Sequence, residues 1–130
     1  YLMVELLKGV VNGGTAGRLR WYYGFTGEMI AKTGTTQKQS DGWFMGITPQ
    51  LSAGVWVGAE DRAAHFDELG MGAGSSMALP IWANFFEKVY ADSTLGITQE
   101  EVFVKPPGMQ VDLDCPDVTE KPASNNYSEF

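Results

Sequence analysis

The chain has 130 residues, 44% apolar and 12% aromatic, with nine basic against sixteen acidic side chains for a net charge of -7. That length suits one domain or a piece of a larger one, and the apolar content is too high for a disordered chain. The acidic balance argues against a phosphate-backbone partner, so no nucleic acid is expected, and Cys115, the single cysteine, can form neither an internal disulfide nor a thiolate metal site.

Apolar residues at Leu2, Met3, Leu6, Leu7, Val10 and Val11 trace one stripe of an amphipathic helix. Asn12-Gly13-Gly14 is read as its stop, with left-handed glycine geometry at the cap. The pattern starts within a helical repeat and has no basic leader, so a fragment rather than a signal peptide is expected. No run approaches the roughly 18 apolar residues of a membrane span. Residues 15–28, TAGRLRWYYGFTGE, read as a loop turned at Gly24 and Gly27, with Trp21, Tyr22, Tyr23 and Phe25 packed onto the domain.

Three strands follow, at 29–36, 42–48 and 51–59, joined by a polar turn at 38–41 and by Pro49-Gln50. Links this short force antiparallel pairing, because parallel neighbours need a crossover of about a dozen residues. In the third strand Leu51, Ala53, Val55 and Val57 share one face, and Ser52, Gly54, Trp56 and Gly58 the other. Residues 60–76 read as a charged, then glycine-rich connection. A second helix carries Ala78, Ile81, Trp82, Phe85, Phe86 and Val89, with Ser75 or Ser76 as cap and Pro80 near its first turn. From Lys105 the composition turns to Pro, Asp and Ser, a ragged tail with one short extended segment at 109–113. The expected class is α+β: an antiparallel three-stranded meander flanked by N- and C-terminal helices packed on the sheet.

The chemistry concentrates in AKTGTTQ, residues 31–37. On an extended strand Lys32 and Gly34 point one way, Thr33 and Thr35 the other. At a sheet edge, free N–H groups, threonine hydroxyls and the lysine charge would form a row of donors suited to a carboxylate, and the Thr35 N–H could face a developing oxyanion. The plainer reading is a β-forming threonine run with a lysine protecting an edge. Residues alone leave both open.

Lys32-Thr33-Gly34-Thr35 resembles the K-T-G motif of penicillin-binding proteins and serine β-lactamases. Its flanks, DGWFMGITP, LSAGVWVG and GSSMALPIWANFF, look like the strands and helix that follow it in the transpeptidase domain of class A, bifunctional penicillin-binding proteins. The first helix and GGTAGRLR resemble the segment before it. The resemblance covers residues 1–105, leaving 106–130 as a C-terminal tail. It implies part of a D,D-transpeptidase that cross-links peptidoglycan stem peptides through a serine acyl-enzyme and is acylated by β-lactams. It also implies a membrane-anchored parent on the outer side of the cytoplasmic membrane of a bacterium.

Carried over residue by residue, Lys32 attracts the substrate carboxylate and joins the proton network, Thr33 and Thr35 hold that carboxylate, and the Thr35 N–H faces the oxyanion. Gly34 and Thr36 complete the substrate-binding strand. No S-x-x-K nucleophile occurs in the chain, the S-N-N at 124–126 lies in the tail with the wrong spacing for the family's S-x-N motif, and Ala31 replaces the usual glycine before the lysine. The fragment is therefore expected to be inactive alone, to need the upstream remainder of its domain, and to self-associate through exposed apolar surface. A noncatalytic cell-envelope binding module and part of a serine β-lactamase are the competing readings. His65, near Asp61, Asp67 and Glu68, reads as a solvated loop residue, and no metal or cofactor is expected. Trp43, Trp56 and Trp82 read as packing residues.

Overall fold

The computed structural model describes residues 1–109, so most of the expected tail and of the segment at 109–113 lies outside the described residues. The elements are helix α1 (Leu2–Asn12), a short helix α2 (Arg18–Trp21), strands β1 (Ile30–Thr35), β2 (Asp41–Ile47) and β3 (Ser52–Gly58), and helices α3 (Leu69–Gly72) and α4 (Gly74–Ala91). The sheet order is β1-β2-β3, both pairings antiparallel, with Lys32 opposite Met45, Gly34 opposite Trp43, and Trp43 opposite Trp56. The expected meander is present, and α4 lies across all three strands while α1 packs on β1.

The core sits between the sheet and α4. Phe44 is fully buried at the centre of β2, flanked on the same face by Gly42 and Gly46. Those glycines let the helix approach: a Cβ at Gly46 would stand 2.4 Å from the Trp82 ring, and one at Gly42 only 3.0 Å from the Gly74 Cα. Trp82 stacks on Phe86 with centroids 3.9 Å apart, meets Phe44 and Phe25 edge-on, and donates its Nε1–H to the Ala53 carbonyl at 3.1 Å.

Several local expectations are corrected. Residues 18–21 form a helical turn within the expected loop, and Leu19 is buried there. Gly13 caps α1 at φ -162°, which is extended rather than left-handed. Gly14 is needed instead for close approach, since a Cβ would lie 2.8 Å from the Val10 Cα. Gly24 does turn at φ +70°, whereas Gly27 is needed because the Gln99 backbone passes over it. Tyr23 and Phe25 join the core, but Trp21 and Tyr22 are exposed.

The glycine-rich connection is helical in part, as α3 and the start of α4. Ser75 and Ser76 lie inside α4, which starts after Ala73 without a side-chain cap, and Pro80 is well inside the helix. The buried stripe of α4 is Ala78, Leu79, Trp82, Ala83, Phe86 and Val89; Ile81 and Phe85 are about half exposed.

Helix α1 is turned by its charges. Lys8 Nζ bonds Glu5 at 2.8 Å and Glu28 at 3.0 Å, and Glu28 also accepts the Phe103 N–H at 2.8 Å. Burial pushes the Glu28 carboxyl up, but the Phe103 N–H and Lys8 outweigh it and hold it below the usual range. With Lys8 facing the body, Leu7 and Val11 turn inward, and Leu2, Met3 and Leu6 are left exposed.

Candidate functional site

Among the described residues β1 is an edge strand, and its hydrogen-bond phase can be read from the turn that ends it. The Thr36 N–H donates to the Asp41 carbonyl at 3.1 Å. In an antiparallel ladder bonded and non-bonded pairs alternate, so Gly34–Trp43 and Lys32–Met45 are the next bonded pairs. The N–H and C=O groups of Thr33 and Thr35 consequently project from the open side of the sheet. The Thr48 N–H bond to Leu51 O sets the matching phase on the other side of β2.

Side chains divide as the alternation requires. Lys32 is exposed, and its Nζ reaches along the edge to the outward Thr33 carbonyl at 2.7 Å. Among the described residues no carboxylate lies within ion-pair distance of it. The Thr33 hydroxyl is 3.2 Å from that of Thr15, which follows α1. The Thr35 side chain is exposed, and its Oγ accepts the Gly74 N–H at 3.0 Å. Thr36 differs: its hydroxyl oxygen accepts the Asp41 N–H at 3.0 Å and lies 2.9 Å from Ser40 Oγ, inside the turn.

That turn is strained. Lys38 and Gln39 both take positive φ, 59° and 53°, a region costly for side-chain-bearing residues. It is braced from outside, where Gln39 O accepts the Phe66 N–H and Gly72 packs on the Gln39 Cβ. Beside it an open cleft of about 720 Å³ is lined by Thr35, Thr36, Gln37, Lys38, Ser40, Arg62 and Ala63. Lys38 and Arg62 give this cleft cationic walls on an acidic chain, so an anion is the ligand it suits.

The structure thus brings Lys32, Thr33 and Thr35 to one open edge, with Gly34 between them. Thr15, Arg62 and Gly74 were not singled out from sequence. The only sequence signal for Thr15 was its place in the GGTAGRLR segment; Arg62 and Gly74 carried none, because each reaches the site through the fold. His65 is exposed, and among the described residues no group of three metal-ligating side chains gathers. No helix among the described residues is long and apolar enough to cross a membrane.

No family model matches the chain, and no solved structure matches it. Curated relatives do. The chain is 40% identical to penicillin-binding protein 1A of Clostridium tetani over 82 residues, 63% of this chain and 10% of that protein. It is 32% identical to penicillin-binding protein 1A of Aquifex aeolicus over 105 residues, 78% of this chain and 14% of that protein. Against penicillin-binding protein 1A of Pseudomonas aeruginosa identity is 32% over 125 residues, 95% of this chain and 14% of that protein. The chain belongs to the class A penicillin-binding protein family. Within it, the similarity is to proteins named 1A, and the chain spans only 10–14% of the length of these relatives.

Proposed function

We propose that residues 1–105 form the C-terminal portion of a D,D-transpeptidase domain and supply its carboxylate-binding and oxyanion-binding strand. The observation that carries this reading is the open edge of β1. There the Thr33 and Thr35 N–H groups, the Thr35 hydroxyl and the exposed Lys32 converge, in a chain similar to penicillin-binding protein 1A.

In this reading a serine elsewhere in the full-length parent attacks the penultimate D-alanine carbonyl of a stem peptide. Negative charge develops on that oxygen, and the Thr35 N–H stabilises it from a fixed position. The terminal D-alanine leaves, and an amine of a neighbouring stem peptide then displaces the serine and closes the cross-link. Lys32 and the hydroxyls of Thr33 and Thr35 hold the substrate's terminal carboxylate and so set the carbonyl in line with the nucleophile. A β-lactam carries a carboxylate in a comparable place and acylates the same serine. The parent works on the outer side of the bacterial cytoplasmic membrane.

The test is covalent labelling. The full-length parent should take up a fluorescent penicillin, and the isolated 130-residue chain should not. Lys32→Ala with Thr35→Val should slow labelling of the folded parent by about a hundredfold to a thousandfold. Undiminished labelling of that double variant would overturn the assigned roles.

A second part of the proposal concerns the sheet face opposite α4. Trp43 is 48% exposed and Trp56 46% exposed as a directly opposed cross-strand pair, with Met45 beside them. Of the three tryptophans read as core or interlayer packing, Trp82 sits in the core, and Trp43 and Trp56 lie on this outer face. The occupant proposed for this face is the remainder of the transpeptidase domain, since the relatives are seven to ten times longer than the matched segment. The isolated chain should therefore associate with itself through this face. Sedimentation should show concentration-dependent oligomers that Trp43→Ser with Trp56→Ser disperses. A monomer at every concentration would contradict it.

A further inference from the structure

Gly74 is the first residue of α4, 39 positions from Thr35 in sequence, yet its N–H donates to Thr35 Oγ at 3.0 Å. Two facts make the contact unusual. A Cβ built on Gly74 would stand 2.4 Å from both the Gly34 carbonyl and the Trp43 carbonyl, backbone atoms of the β1–β2 ladder that cannot swing aside. Any side chain there forces the start of α4 away from β1 and breaks the bond. The second fact concerns the hydroxyl. An oxygen that accepts the Gly74 N–H keeps its own hydrogen to donate, and among the described residues no other partner of Thr35 Oγ is present.

We propose that Gly74 is a positioning residue for the Thr35 hydroxyl. Its N–H fixes the side-chain rotamer and occupies one lone pair, so the hydroxyl hydrogen points away from α4 toward the open edge, ready for the carboxylate of a ligand. This inference rests on the transpeptidase reading and adds the residue that orients its carboxylate donor. The sheet makes Thr35 available, and the helix decides which way it donates. A threonine without this brace would spread its hydroxyl over several rotamers and lose part of the bond's contribution to binding.

The experiment compares two acylating agents on the folded full-length parent: a penicillin, and the same penicillin as its methyl ester, which has lost the negative carboxylate. Gly74→Ala should slow acylation by the penicillin about tenfold, the order of one well-placed hydrogen bond, and leave acylation by the ester within about twofold. Thr35→Val should show the same selectivity, Thr35→Ser should restore the rate, and the double variant should lose no more than Thr35→Val alone. Equal slowing with both agents would mean that Gly74 serves only the general shape of the site, and no slowing with either would mean that it does nothing for Thr35; each overturns the inference.

If Gly74→Ala does not fold, hydrogen exchange decides. Thr35→Val should speed exchange at the Gly74 amide relative to the parent, and an unchanged rate overturns the proposal. Failure of the transpeptidase reading looks different, since the unaltered parent would then not be acylated by either agent.

Discussion

Trp82→Ala is expected to destabilise the chain by about 3–5 kcal/mol, enough to unfold a large share of it at room temperature, because small domains hold only about 5–15 kcal/mol in total. The magnitude follows from what surrounds the indole ring. The side chain is fully buried, stacks on Phe86 and is met edge-on by Phe44 and Phe25. Gly46 has no side chain to fill the space, so the cavity cannot collapse from the sheet side. The Ala53 carbonyl would also lose its second donor, keeping only the Gly46 N–H of the ladder. Trp82→Phe keeps an aromatic ring and gives up mainly that hydrogen bond, so about 1–2 kcal/mol is expected. Urea unfolding followed by far-UV circular dichroism measures both. A Trp82→Ala midpoint equal to that of the unaltered chain would show that α4 does not carry the core.

Lys32→Ala in the full-length parent is expected to slow acylation by a carboxylate-bearing penicillin between about tenfold and about a hundredfold. A hydrogen bond to a charged group contributes roughly 1.5–3 kcal/mol, and each 1.4 kcal/mol is a factor of ten. The side chain is exposed and without a carboxylate neighbour among the described residues, so its charge is available to an incoming anion. Its ammonium leans on the Thr33 carbonyl, a neutral acceptor that an anionic ligand outcompetes. Lys32→Arg keeps the charge but not the compact ammonium, and should fall between the two. Rates read by rapid-quench labelling at low and high salt would check this. A Lys32→Ala rate equal to that of the parent at low salt would remove lysine from the mechanism.

The two effects live on different links of one chain of causes. Trp82 holds α4 against Gly42 and Gly46, and that seating brings the Gly74 N–H to Thr35. A core change that loosens the helix is thus transmitted to the edge strand, whereas Lys32 can be removed without touching the core. Stability measured beside acylation separates the two.

Much of this was written locally in the chain. The strands at Lys32, Trp43 and Trp56 follow from period-two alternation, and short polar links leave antiparallel pairing as the sole option. Lys32 through Thr35 were legible as a row of donors because a strand's alternation is set by its own backbone. Which surfaces meet could come only from the assembled fold. Trp43 and Trp82 are equally apolar in sequence, yet one is half exposed and the other sealed, since burial depends on what covers a face. Gly74 looked like one of several glycines in a flexible connection until α4 was laid on the sheet. Thr15 reaches the site across a gap of 18 residues, and Arg62 from beyond β2 and β3, distances that no local pattern spans. Periodicity acts within one element; contact between elements is decided by the packing of the whole.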